Sequence, residues 1–157
     1  MIGHAAIKYA DLSQNRTSDY VFSYDKMVAM QGNTATYLQY SYARVQSIIA
    51  RGQVDIQSLR DSDAKIELNA ATERNLALQL LRFHESLEDV LVDYRPNMLA
   101  NYLYQLAKAY AQFFDECPVL KAENEDVKNS RLLLCDVVGR TMKQGLNLLG
   151  IQTVDRM

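Results

Sequence analysis

The stretch "PNMLANYLYQLAKAYAQFFDECP", Pro96 to Pro118, carries the pattern on which the fold turns. Leu99, Leu103, Leu106, Tyr110 and Phe113 recur at steps of four, three, four and three. That spacing lines up one apolar stripe along a helix. Strand residues would alternate every second position instead. Pro96 suits the first helical turn, where its missing N–H is not needed, and Pro118 ends the run.

The flanking sequence repeats the same grammar. Ile2 to Leu12 reads as a short helix followed by the polar run "SQNRTSD", and "DYVF" as a turn or short extended piece. Gly32-Asn33 breaks the chain; Asn33 or Thr34 can cap a helix that runs to about Arg51, with Gly52 as its stop. "GQVDIQSLRDSDAKIELN" is polar and aperiodic, so residues 52–70 read as a linker or mobile loop with room for one turn of helix. Asn69 or Thr72 caps the next helix, apolar at Leu76, Leu80 and Phe83. Leu87, Val90, Leu91 and Tyr94 continue it after a bend or as a second helix. "KAENEDVKNS" reads as a charged loop. The last helix carries Leu134, Val138, Met142, Leu146 and Leu149 on one side and ends at Gly150. The class is all-α, an antiparallel helical bundle of about five helices.

The bulk composition agrees. A chain of 157 residues with 48% hydrophobic residues can bury one real core. Two prolines and six glycines are few, which favours long helices over many short strands. No apolar run approaches the roughly 20 residues that span a bilayer. The start "MIGHAAIKYADL" lacks the basic head and apolar stretch of a secretory signal. Cys117 and Cys135 are isolated and read as reduced core thiols of a cytoplasmic protein.

Enzyme chemistry finds little support. The two histidines, His4 and His84, have no partner at metal-ligand spacing. "HESLED" gathers carboxylates near His84, as a solvated helix face does. No phosphate-binding glycine loop or nucleophile elbow is present. The catalytic and metal-ligand sets are therefore empty. Net charge is −2, but residues 1–60 carry +2, residues 61–130 carry −6 and residues 131–157 carry +2. If the two ends meet in the fold, they make one basic face.

Helical phase divides the tyrosines of "TATYLQYSYARV", Thr34 to Val45. At about 100° per residue, Leu38, Tyr42, Val45 and Ile49 fall within about 60° of one another and form a core stripe. Tyr37, Tyr40 and Arg44 lie on another side, with Arg51 further along. Such a face either packs on a neighbouring helix or stands open. Open, its flat rings suit nucleic-acid bases, at about 1–3 kcal/mol per stacked base, and its guanidinium suits a phosphate or a base edge.

Six blocks resemble the C-terminal portion of the arginyl-tRNA synthetase family: "AIKYADLSQNRTSDYVFSYDKM", "GNTATYLQYSYARVQSI", "ERNLALQLLRF", "YLYQLAKAYAQFFDECPVL", "RLLLCDVV" and "GLNLLGIQTVDRM". They follow the family's order over nearly the whole chain, and the last is the most specific. The resemblance implies a DALR-type anticodon-binding helical bundle, although the DALR tetrapeptide is absent. The HIGH and KMSKS motifs are absent too, and "YDKMVAM" is no KMSKS loop. It implies a piece of a longer arginine–tRNA ligase: residues 1–20 as a junction segment from the end of the catalytic domain, residues 21–157 as the bundle. The anticodon-binding residues it implies are Tyr37, Tyr40, Arg44, Phe114 and Met157, with phenylalanine at 114 where the family usually has tyrosine. Implied partners are the tRNA(Arg) anticodon loop and the parent's catalytic domain, with no membrane and no DNA. No cofactor belongs to this stretch, while the parent uses ATP and arginine with Mg. The alternative is a helical protein-interaction bundle with no direct RNA contact.

Overall fold

The computed structural model describes residues 2–157. Eight helical segments follow in order: α1 (Ile2–Leu12), α2 (Tyr24–Met27), α3 (Ala35–Arg51), α4 (Ile56–Arg60), α5 (Ala71–Leu81), α6 (Phe83–Asp93), α7 (Pro96–Glu116) and α8 (Glu125–Leu148). Six are long, α2 and α4 are single turns, and there is no strand among the described residues. The count exceeds five because the chain bends at Arg82, separating α5 from α6, and because the two short turns form.

α7 is the spine. α5 and α6 pack along it, α3 and α8 pack against it and each other, and α1 leans on α3 and α7. All five stripe residues of α7 are buried, Leu106 and Phe113 completely. Leu134, Val138, Met142 and Leu146 of α8 join them, together with Leu149 just past its end. α8 approaches its neighbours closely where it lacks side chains. A Cβ on Gly139 would stand 2.9 Å from Val45 Cγ1, and one on Gly145 would stand 2.6 Å from Leu103 Cδ2. Val45 is β-branched and fully buried, so its side chain is held to one strongly preferred rotamer.

Several local expectations are revised. α8 begins inside the charged stretch, at Glu125, because the Asn124 side chain accepts from the Val127 amide at 2.9 Å. Glu125 and Asp126 then favour the positive end of the helix dipole. Neither Asn69 nor Thr72 caps α5; Ala70 holds the N-cap position and Glu73 reaches back to its amide at 2.7 Å. Gly52 stays right-handed, and Gln53 takes the positive φ of 53° instead. The glycine at 52 serves packing, since a Cβ there would sit 3.3 Å from Leu132. Leu91 and Tyr94 are exposed rather than in the α6 stripe. The 52–70 segment is docked on α8, not loose. Leu59 is buried, Arg60 pairs with Asp136 at 2.9 Å, and Ser130 bonds both the amide and the carbonyl of Glu67.

One ion pair fastens three parts of the bundle. Arg131 donates through Nε to Glu73 at 2.7 Å and through Nη1 to the Pro118 carbonyl at 3.1 Å. Both side chains are buried. Burial pushes the Glu73 carboxyl up, but the Ala70 amide and the Arg131 guanidinium outweigh it and hold the group below its ordinary value. A carboxyl lowered in the folded state stabilises the fold above the unfolded value of about 4.3, and that contribution is lost as pH falls through the lower folded value. Stability measured by urea unfolding should accordingly drop as the pH is lowered below about 4.3. Glu73→Ala, which strands the buried guanidinium, should cost about 3–5 kcal/mol at neutral pH and flatten that acid dependence.

Candidate nucleic-acid interface

α3 starts cleanly because Thr34 caps it, accepting from the Tyr37 amide at 3.1 Å. Leu38, Tyr42 and Val45 face the core as their phase requires. Ile49 is only half-buried, and Ile48 takes the deeper place. Tyr40 is exposed, while Tyr37 and Arg44 are half-buried.

The segment after α8 folds back along α3. Gly150 turns it with a φ of 67°, Ile151 is buried, and the buried Gln39 amide donates to the Gln152 carbonyl at 2.8 Å. Farther along, Tyr42 meets Thr153 and Asp155; burial, partly offset by Thr153, raises its phenol above the ordinary value. The core tyrosine thus has a second task, holding the tail.

Between α3 and this tail lies an open cleft of about 640 Å³. Its α3 lining includes Ala43, Ser47 and Ala50, spaced four and three apart. Their small side chains leave the groove empty. Tyr40, Arg44 and Arg51 come from α3, and Asp155, Arg156 and Met157 from the tail. The two basic ends of the chain therefore meet here, with three guanidiniums around one groove. Met157 is 48% exposed, so an apolar side chain stands free at its edge.

Tyr37 and Phe114 do not line this cleft; they lie on the side of α3 that faces α7. Tyr37 meets Tyr104 edge-on, with centroids 5.9 Å apart. Burial raises the Tyr37 phenol first, Tyr104 and Asp115 add to it, and Arg44 and Ser41 oppose it. The Arg44 guanidinium sits 3.8 Å over the Phe114 ring, and its Nη2 is 3.9 Å from Asp115 Oδ1. Lys108 stands 5.8 Å from the Tyr104 ring. Arg44 belongs to both groups and joins the cleft to the aromatic row. Sequence reasoning missed Tyr104 and Lys108, which the spine stripe overshadowed. It missed Arg156 and the small floor as well, because neither has meaning until the tail lies opposite.

The described residues contain no cluster of ligands able to hold a metal ion. His84 pairs with Glu88 at 3.2 Å in solvent. Both cysteines are free and buried, and burial pushes the Cys135 thiol up to about 12, against the opposing Tyr110 hydroxyl. Among the described residues, no helix is long and apolar enough to cross a membrane.

Fold and cleft define an all-α domain with an open groove edged by aromatic and basic side chains. The chain belongs to the DALR anticodon binding domain family, whose sequence profile matches residues 38–157. Among curated relatives, an arginine–tRNA ligase of Rippkaea orientalis is 54% identical over 157 residues, covering 100% of this chain and 26% of that protein. One from Synechocystis is 53% identical over 156 residues, covering 99% and 26%. Among solved structures, Thermus thermophilus arginyl-tRNA synthetase has a TM-score of 0.89 at 30% identity and covers 100% of this chain and 27% of that one. The Plasmodium falciparum enzyme scores 0.88 at 35% identity, covering 98% and 26%. The chain thus spans about a quarter of the relatives it matches.

The tail's anchorage is open to test. Gln39→Leu removes the hydrogen bond to Gln152 and should cost about 1 kcal/mol. Amide hydrogen exchange at residues 152–157 should accelerate, while the α7 core amides remain protected.

Proposed function

We propose that the chain is the tRNA(Arg) anticodon-binding domain of an arginine–tRNA ligase. The observation that carries this reading is the open cleft in which Tyr40, Arg44 and Met157 come together. With the Tyr40 ring exposed beside three guanidiniums, that groove supports direct RNA contact over a bundle that only docks other proteins.

The chemistry suits a splayed anticodon. Opening the loop costs a few kcal/mol of base stacking, which aromatic platforms partly restore. Tyr40 stacks a base at the cleft, and Met157 closes its apolar edge. Tyr37 and Phe114 act from the α7 side, holding Arg44 in place and extending the stacking surface. Every arginine codon has G in the middle, so every arginine anticodon has C there, while its neighbours vary. A domain serving all these tRNAs reads the middle base and tolerates the rest. The three guanidiniums also attract the phosphate backbone, so binding weakens with salt.

In the full-length ligase the joining of arginine to tRNA, driven by ATP with Mg, belongs to a catalytic domain outside this chain, and the enzyme works in the cytoplasm. Residues 1–20 form the junction with that domain. α1 supports this, because it buries Ala5, Ala6 and Tyr9 in the bundle but leaves Ile2 and Ile7 exposed. Val21, Phe22, Tyr24, Val28 and Met30 add exposed apolar surface beside it. That surface faces the catalytic domain, which is where the interaction reading keeps its place.

Titration with an arginine anticodon stem-loop, and with one whose middle C is replaced, tests the proposal. Tighter binding of the first is expected, and equal affinity for both contradicts specific reading. Arg44→Ala should weaken binding of the cognate loop about tenfold, near 1.4 kcal/mol, as read by fluorescence anisotropy.

A further inference from the structure

Asp115 stands at the C-terminal end of α7 and has no structural task. Its side chain is 72% exposed, and its ionic partner among the described residues is Arg44, 3.9 Å away. That distance is beyond hydrogen-bond range, and an exposed pair of this kind adds almost nothing to stability. Arg44, by contrast, is half-buried and packed on α7. Its guanidinium carbon lies 3.8 Å from the centre of the Phe114 ring, a contact that uses the face of the group and spends none of its N–H donors. A positioned donor group and a free acceptor therefore stand side by side next to the cleft, neither one satisfying the other.

We infer that Arg44 and Asp115 together read the Watson–Crick edge of a cytosine, Arg44 donating to its N3 and O2 and the Asp115 carboxylate accepting from its N4 amino group. This rests on the proposed anticodon function and names the group that separates cytosine from uracil. An ionised carboxylate can only accept, and the cytosine amino group is the donor that Asp and Glu side chains take up in base recognition. Uracil has the same size, so shape does not exclude it. Its O4 would bring an acceptor against the carboxylate, and its N3–H would bring a donor against the guanidinium. Both contacts are reversed, and the discrimination is electrostatic. Guanine presents the same mismatch at O6 and N1. The slight misfit between Arg44 and Asp115 in the free protein is what keeps both available to the base.

The test is a specificity ratio. Stem-loops differing only in the middle base, C or U, are titrated against the chain and against its Asp115→Asn form. An asparagine amide can turn to accept or donate, so the preference for C over U should fall by about tenfold, chiefly through tighter binding of the U loop. A loop carrying pyrimidin-2-one at the middle position lacks the amino group without added bulk. Bound to the unaltered chain, it should lose about tenfold relative to C, a result that depends on no protein variant. An unchanged C-to-U ratio in Asp115→Asn overturns the inference. So does an equal gain for both loops, which would make the carboxylate a plain repeller of phosphate, or full-strength binding of the pyrimidin-2-one loop. If the unaltered chain binds arginine loops no better than an unrelated stem-loop, the proposed function itself falls, and the inference with it.

Discussion

The bundle depends on how closely α8 approaches its neighbours. Where Gly139 faces Val45 and Gly145 faces Leu103, a single added carbon would collide with a buried side chain. That approach sets the position of α3 on α8. It also sets where the chain emerges at Gly150 to turn back along α3. The groove between α3 and the returning tail is thus an outcome of core packing. A site formed this way spends less of its binding energy on ordering itself.

α3 divides its labour by angle. One side feeds the core through Leu38, Tyr42 and Val45, Gln39 and the Tyr42 hydroxyl grip the tail, and another side carries the exposed Tyr40 and the half-buried Arg44. Small residues at 43, 47 and 50 let the open side stay concave. α7 supports the Arg44 guanidinium from behind through the Phe114 ring, 3.8 Å away. Electrostatics acts at two ranges. The arginines around the cleft supply a positive field, while the acidic middle of the chain lies mostly elsewhere, and Asp115 is the acid placed beside Arg44.

The parts legible in the sequence were those governed by local periodicity. The α7 stripe from Leu99 to Phe113 could be read because its spacing and its burial express the same geometry. Helical phase likewise separated Tyr42 from Tyr40. The illegible parts depend on partners distant in sequence. Ala70 holds an N-cap position because Glu73 serves its amide, and Glu73 is itself held by Arg131, 58 residues away. The 52–70 segment has no period, yet Leu59 and Glu67 are tied down by α8. Leu91 and Tyr94 kept a helical spacing but lie beyond the reach of α7, so nothing covers them. Of the five residues implied by family resemblance, Tyr40, Arg44 and Met157 share the cleft, while Tyr37 and Phe114 lie behind Arg44. That distinction needed coordinates.

The six methionines supply reporters for the central claim, that the α3–tail cleft receives the anticodon. Met157 stands at the cleft, Met142 is in the core, Met27 is buried near α1, and Met30 is exposed outside the cleft. Methyl-labelled methionine observed by NMR during addition of an arginine anticodon stem-loop is therefore the most direct measurement. The account expects the Met157 methyl signal to shift in step with binding while those of Met27, Met30 and Met142 stay in place. A shift at Met30 with Met157 unmoved would contradict it.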